Sequence, residues 1–161
     1  MTVMAERPAT ETQAEALERV RRRWESDPYL RLLGLELVDF APGRATLRLP
    51  LTEKVLNGGQ GVAHGGSLCS AMDIAIGIAL NAANATAGEG PIGQTTTDLH
   101  VNFLAGAREG PLTIEAEVIR RGGTLAVGDS RVLDAKGKVV AVGRATFMII
   151  RRRGPAAAGG D

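Results

Sequence analysis

The sequence predicts one α+β domain in which an antiparallel sheet wraps a single long apolar helix. Three observations carry that expectation. The apolar run from Gly66 to about Asn84 is too long for a strand and lacks β-branched alternation, so it reads as a helix. Six shorter segments, two before this helix and four after it, have strand-like alternation bounded by turn residues. There is no βαβ alternation and no internal repeat, which removes parallel-sheet and solenoid designs.

Taken in order, residues 1–9 have no periodicity and are expected to be disordered. Thr10 and Gln13 suggest a capping box for a helix over residues 10–26, with Ala14, Leu17, Val20 and Trp24 on one stripe. Asp27-Pro28 ends it. Its other faces hold Glu15, Glu18, Arg19, Arg21, Arg22 and Arg23, the composition of a solvated surface. Leu35–Phe40 and Ala45–Leu49 flank Ala41-Pro42-Gly43 as a hairpin. Asn57–Gly66 is a glycine-rich loop leading into the apolar helix. Thr95–Phe103 alternates, placing Thr97, Leu99, Val101 and Phe103 opposite Asp98, His100 and Asn102. Leu112–Arg120, Leu125–Leu133 and Val139–Ile150 follow, joined by turns at Gly122-Gly123 and Lys136-Gly137. The expected organisation is an N-terminal extension over 1–28, the domain over 29–150, and a basic, Gly/Ala-rich tail over 151–161.

Composition narrows the function. A chain of 161 residues fits one core. Aromatics make up only 3% of it, so the core must come from Leu, Val, Ile and Ala. A net charge of +1 gives no broad basic field for a nucleic-acid backbone. The single cysteine, Cys69, excludes an internal disulfide framework and a multi-cysteine zinc site and fits a reducing compartment. With Glu and Arg rather than a secretion signal in the first 25 residues, a cytoplasmic location is expected. Leu68–Leu80 falls short of the ~20 residues that span a bilayer and carries Asp73 at its middle, so no membrane partner is expected. No metal cluster is visible, and no metal or cofactor is expected.

Asp73 is the most informative residue. A carboxylate among apolar and small neighbours either opens onto a cavity or is held by hydrogen bonds as a structural cap. Burial would raise its pKa and donors would lower it. The loop Asn57-Gly58-Gly59-Gln60-Gly61-Val62-Ala63-His64-Gly65-Gly66 ends at the helix start, where unpaired N–H groups and the dipole suit polarisation of a carbonyl. Gly65 and Gly66 are the candidate donors. The loop has neither a P-loop ending nor GxGxxG spacing. Gly65 and Asp73 are eight residues apart, about 12 Å along a helix, too far to serve one reacting atom within a chain. If both act on one carbonyl, Asp73 of one subunit faces Gly65 of another across antiparallel helices, giving a two-fold dimer with composite sites. His64 either orients substrate or closes its own turn. Cys69 reads as packing, and His100 as surface or interface.

The run Asn57 to Asp73, with His64-Gly65-Gly66, Leu68 and Asp73, resembles the hotdog-fold acyl-CoA thioesterase superfamily in its PaaI-like branch. So do the segment Thr96-Thr97-Asp98-Leu99-His100-Val101-Asn102-Phe103-Leu104, Gly34 after Leu32-Leu33, and Pro42-Gly43. The resemblance covers about residues 29–150. It implies a hotdog fold and an acyl-CoA substrate, with Asp73 as nucleophile or general base and the Gly65 N–H polarising the thioester carbonyl. It further implies that His64 and Asn57 line the thioester side and that Thr96 positions the attacking water. Gly66, Arg120, Arg121, Gly123 and Thr124 would contact CoA, and the assembly would be a homodimer or a dimer of dimers. One extra residue between Asn57 and His64 departs from the family's spacing and predicts a bulge at Gly58-Gly59. Two rival readings are a hotdog hydratase or dehydratase using His64 and Asp73, and a non-catalytic acyl-CoA-binding module.

Overall fold

Residues 11–87 and 92–151 are described by a computed structural model of the chain. The first helix, α1 (Gln13–Glu25), starts from Thr12. The Thr12 hydroxyl accepts from the Glu15 N–H, and the Glu15 carboxylate accepts from the Thr12 N–H at 2.8 Å, a reciprocal capping box. The expected pair is thereby corrected: Gln13 is the first helical residue, and Thr10 lies outside the described residues. The buried stripe is also rotated. Ala16 and Val20 are buried, Trp24 continues the line one turn on, and Ala14 is exposed.

Asp27-Pro28 stops α1 and also starts a helix that the sequence reading did not contain. In α2 (Pro28–Leu33), Asp27 Oδ1 accepts from the Tyr29 N–H at 2.8 Å and Pro28 stands in the first turn, where no N–H is needed. Gly34, at φ 71°, makes the left-handed cap. Six residues are too few for a periodic signal, and the caps alone mark this helix. Its Leu30 and Leu33 are buried in the main core.

The remaining elements follow the expected order: β1 (Glu36–Ala41), β2 (Arg44–Leu49), a 3-10 turn over Glu53–Val55, α3 (Gly65–Thr86), β3 (Ile92–Phe103), β4 (Leu112–Arg121), β5 (Leu125–Leu133) and β6 (Val139–Arg151). They form one antiparallel sheet in the order β1-β2-β4-β5-β6-β3, so β1 and β3 are its edges. One face wraps α3. Leu47, Leu49, Leu112, Ile114, Val132 and Val140 meet Met72, Ile76, Ile78 and Leu80 there, all essentially inaccessible. Each such side chain contributes about 1.5–3 kcal/mol by leaving water. Two sheet glycines let the helix side chains pack directly on the backbone. A Cβ on Gly128 would lie 2.5 Å from Ile76 Cγ2, and one on Gly143 would lie 2.8 Å from Met72 Cε.

At 22 residues α3 is long and apolar enough to cross a bilayer, longer than the run Leu68–Leu80 suggested, yet most of it is buried inside this domain as a core helix. Part of its remaining surface is covered by α1. A second correction concerns β3. Its pairing with β6 skips one residue, Thr96 facing Phe147 and Asp98 facing Thr146, so Thr97 is bulged out and exposed. The bulge switches the inward parity from even to odd positions. Gln94 and Thr96 therefore face α3 together with Leu99 and Val101, and Thr97 does not.

Candidate active site

Ser70, Asp73, Gly77, Asn81 and Asn84 recur every three or four residues along α3 and form a stripe of small and polar side chains on an otherwise apolar helix. Beside this stripe lies a cleft of about 230 Å³, walled by α1 (Arg23, Trp24), α3 (Asp73, Ile74, Gly77, Asn81), β3 (Gln94, Thr95, Thr96) and Phe147 of β6. Asp73 is half-buried in it, and the Thr96 hydroxyl donates to Asp73 Oδ1 at 2.8 Å. Burial pushes the Asp73 carboxyl above the usual aspartate range, and the Thr96 hydroxyl offsets part of that rise. A carboxylate desolvated in this way, and open to a cleft, suits proton transfer. The β3 bulge is what brings Thr96 to it.

The start of α3 is held from both sides of the chain. The Ala63 N–H donates to Ala107 O at 2.8 Å and the His64 N–H to Val55 O at 2.7 Å. Between residues 57 and 62 the chain makes a turn closed by the Asn57 N–H on Val62 O at 2.7 Å, with Gly59 and Gly61 at positive φ. That turn leaves half-buried Asn57 at its base. His64 is the N-cap, and its Nδ1 accepts from the Gly66 N–H at 2.9 Å. The turn-closing role open to His64 in the sequence is the one its side chain performs. The Ser67 and Leu68 N–H groups go to His64 O, which leaves the Gly65 N–H as the first-turn donor without a partner among the described residues. Phe103 lies against Gly65, its ring 3.2 Å from where a Cβ would stand.

The residues expected at CoA lie on the β4–β5 hairpin. Arg120, Gly123 and Thr124 are exposed there. Arg121 turns inward, its Nε donating to Asn84 Oδ1 at 2.8 Å. Asn84 Nδ2 in turn donates to Gln94 Oε1 at 3.2 Å, and Gln94 Nε2 to Gly77 O at 2.7 Å. This polar chain joins the hairpin to the cleft. Gly66, expected on the same ligand, has its N–H engaged by His64. Cys69 is a half-buried free thiol, and His100 sits on the outer face of β3 opposite Arg144. Among the described residues no three His, Cys, Asp or Glu side chains gather as metal ligands.

Sequence reasoning missed Trp24, Asn81, Asn84 and Gln94. The helical spacing that puts Asn81 and Asn84 on the Asp73 face of α3, through Gly77, was the available signal for two of them. Gln94 lay before the expected strand, and Trp24 was accounted for by its place on the apolar stripe of α1. Trp24 also carries the one buried side-chain nitrogen or oxygen without a hydrogen-bond partner among the described residues, its indole Nε1. A buried donor left unpaired costs about 1–3 kcal/mol.

Comparison with known proteins gives this geometry a lineage. The model of the Thioesterase superfamily matches residues 60–141, from the loop before α3 into β6. A protein of Saccharolobus solfataricus, named provisionally as an esterase, is 32% identical over 143 residues, spanning 89% of this chain and 96% of that protein. The acyl-coenzyme A thioesterase PaaI of Escherichia coli is 28% identical over 131 residues, 81% of this chain and 88% of its own. The solved structure of the E. coli PaaI protein superposes with a TM-score of 0.75 at 25% identity, covering 88% of this chain and 97% of that one. A hotdog sheet around α3, relatives at this level of identity and the matched segment together place the chain in the thioesterase superfamily, as a thioester-hydrolysing enzyme of the PaaI-like branch.

Proposed function

We propose that the enzyme hydrolyses acyl-CoA thioesters, with Asp73 as the general base that takes a proton from water attacking the thioester carbonyl. The observation that carries this reading is a half-buried carboxyl, raised by desolvation and gripped by Thr96, on the same helix whose first N–H is unspent. Water adds to the carbonyl as its proton passes to Asp73. The tetrahedral oxyanion is stabilised by the Gly65 N–H, and collapse expels CoA sulfur, which takes the proton back. Thr96 holds one Asp73 oxygen, so the other is the one that meets water. Asn57 and His64 flank the thioester, His64 by fixing the helix start. The exposed hairpin residues Arg120, Gly123 and Thr124, with Gly66 and with Arg121 behind them, form the CoA side, where a guanidinium suits a phosphate.

A homodimer fits this chemistry. Along α3 the Gly65 donor and Asp73 are about 12 Å apart, so one carbonyl reaches both only if they come from two chains. The 12-residue edge strand β3 offers a row of backbone groups for pairing with a second copy. Use of His64 as an acid in a hydratase is disfavoured, because its Nδ1 already accepts the Gly66 N–H.

The test is thiol release from a panel of aromatic and aliphatic acyl-CoAs by the unmodified protein and by Asp73→Ala. Turnover lost in the variant with the oligomer intact supports the reading. Full turnover in Asp73→Ala overturns it, and an unmodified, folded protein that cleaves no thioester favours the acyl-CoA-binding module.

A further inference from the structure

We propose that the cleft beside Asp73 takes acyl groups that end in a carboxylate, with Arg23 of α1 and Asn81 of α3 as the residues that recognise that end. The proposal rests on the reading of Asp73 as catalytic carboxylate and deepens it by naming the class of acyl group.

Arg23 is set apart from its neighbours by what they touch. Of the four arginines in α1, Arg19, Arg21 and Arg22 each meet a carboxylate, that of Glu11, Glu25 and Glu18 respectively. Arg23 has no hydrogen-bond or ion-pair partner among the described residues, and it is the one of the four that lines the Asp73 cleft. Its charge is not spent on Asp73, whose hydrogen-bond partner is Thr96.

Asn81 differs from its neighbours in the same way. Along the polar stripe of α3, Ser70 shares a 2.8 Å hydrogen bond with Tyr29, Asp73 accepts from Thr96, and Asn84 bridges Gln94 and Arg121. Gln94, on the facing strand, has both ends of its amide engaged. The Asn81 amide has no partner among the described residues, and it is half-buried in the cleft wall. It is not sealed off, because Trp24 Nε1 is the one side-chain nitrogen or oxygen there that is both inaccessible and unpartnered.

The stripe sets the order in which a ligand meets these groups. Asn81 follows Asp73 by two turns, about 12 Å along the axis. Midway, over Gly77, the Trp24 and Phe147 rings come within 3.7 and 3.8 Å of where a Cβ would stand. An acyl group held by its carbonyl at Asp73 and running along α3 passes apolar rings and then reaches unspent donors. A guanidinium matches a carboxylate with two parallel N–H groups, and the Asn81 amide adds another donor. A methyl end offers these groups nothing, and a site with polar groups set for a ligand discriminates against the analogue lacking their partner.

The experiment pairs acyl-CoAs of equal length that differ only at the far end, adipoyl against hexanoyl and suberoyl against octanoyl. Their ends stand roughly one to two helical turns from the thioester. The ratio of kcat/KM within each pair is read for the unmodified protein, Arg23→Gln, Arg23→Lys and Asn81→Leu. We expect the unmodified protein to favour the carboxylate-ended member. Arg23→Gln should lower that ratio by about tenfold, the low end for a hydrogen bond to a charged group, since Arg23 is exposed. Asn81→Leu should lower it by less, and Arg23→Lys should recover part of the loss through its charge. An unmodified protein without that preference overturns the proposal. So does a ratio unchanged in Arg23→Gln because both members lose equally, which would put the guanidinium on a CoA phosphate common to both. The same four compounds as non-hydrolysable thioether analogues, titrated calorimetrically, should bind in the same order. That arm needs no turnover. An unmodified protein that cleaves none of the four sinks the catalytic reading, whereas analogues bound no more tightly with a carboxylate than with a methyl sink the assignment of Arg23 and Asn81.

Discussion

Thr96→Val removes one oxygen and nearly nothing else, and its consequences can be worked from one contact. The Thr96 hydroxyl donates to Asp73 Oδ1 at 2.8 Å, and among the described residues it is the one donor opposing the desolvation that raises the carboxyl. A hydrogen bond to a charged group is worth about 1.5–3 kcal/mol net, which corresponds to roughly a ten- to hundredfold change. The bond favours the ionised form, so its loss must raise the Asp73 pKa further. The acid limb of kcat/KM, which reports the carboxylate in the free enzyme, should then move to higher pH. On that acid limb kcat/KM should fall roughly ten- to hundredfold at a given pH. Thiol release followed across pH measures both. Thr96→Ser keeps the hydroxyl and should restore the limb to its original position. An acid limb unmoved in Thr96→Val would refute the assignment of Thr96 as the partner that tunes Asp73.

Other consequences concern stability. Because burial raises the Asp73 pKa in the folded state, the unfolded chain loses its proton first, and the folded protein loses stability as pH rises from about 4 through the folded value. Asp73→Asn should therefore be inactive but more heat-stable than the unmodified protein, by a margin that grows over that window; a margin constant with pH would contradict the burial argument. Gly128→Ala drives a methyl to 2.5 Å from Ile76 Cγ2 and 3.1 Å from Glu117 O, and should cost about 1–3 kcal/mol in chemical denaturation. His64→Ala removes the α3 cap and should cost about 0.5–2 kcal/mol, with His64→Asn recovering most of it, since Asn also caps through a side-chain acceptor.

Much of this architecture is legible in the sequence because its signals are local and long. The α3 run, the β4 to β6 alternation and the turns at Gly43 and Gly137 all depend on neighbours a few residues away. What escaped is what tertiary packing decides. The β3 bulge moves Thr97 outward and Thr96 inward, and alternation read along a strand has no means of detecting a skipped partner. The α2 helix is recorded only in its Asp27-Pro28 start and Gly34 cap, which also fit a simple stop. In the site, Asp73 stood out because a charge among apolar residues demands an explanation. Trp24 did not, because an apolar ring on an amphipathic helix is what packing alone would require. His64 illustrates the middle case: its place before two glycines was visible, but only the 2.9 Å contact to Gly66 chooses the cap over other uses.

The central claim is that Asp73 of one protomer works with the Gly65 N–H of another, and mixing subunits tests it most directly. Gly65→Pro deletes that N–H at the first helical position, where the proline backbone fits the helix start once the Phe103 ring shifts a few tenths of an ångström from the new Cβ, and should lower kcat by roughly 10²–10³. Asp73→Asn disables the other half. After the two inactive proteins are unfolded together and refolded as a one-to-one mixture, half of the dimers are mixed and each mixed dimer has one intact composite site. The account predicts recovery of about a quarter of the unmodified activity. A mixture as inactive as its parents, with mixed dimers shown to be present, would contradict it and place both groups in one chain's site.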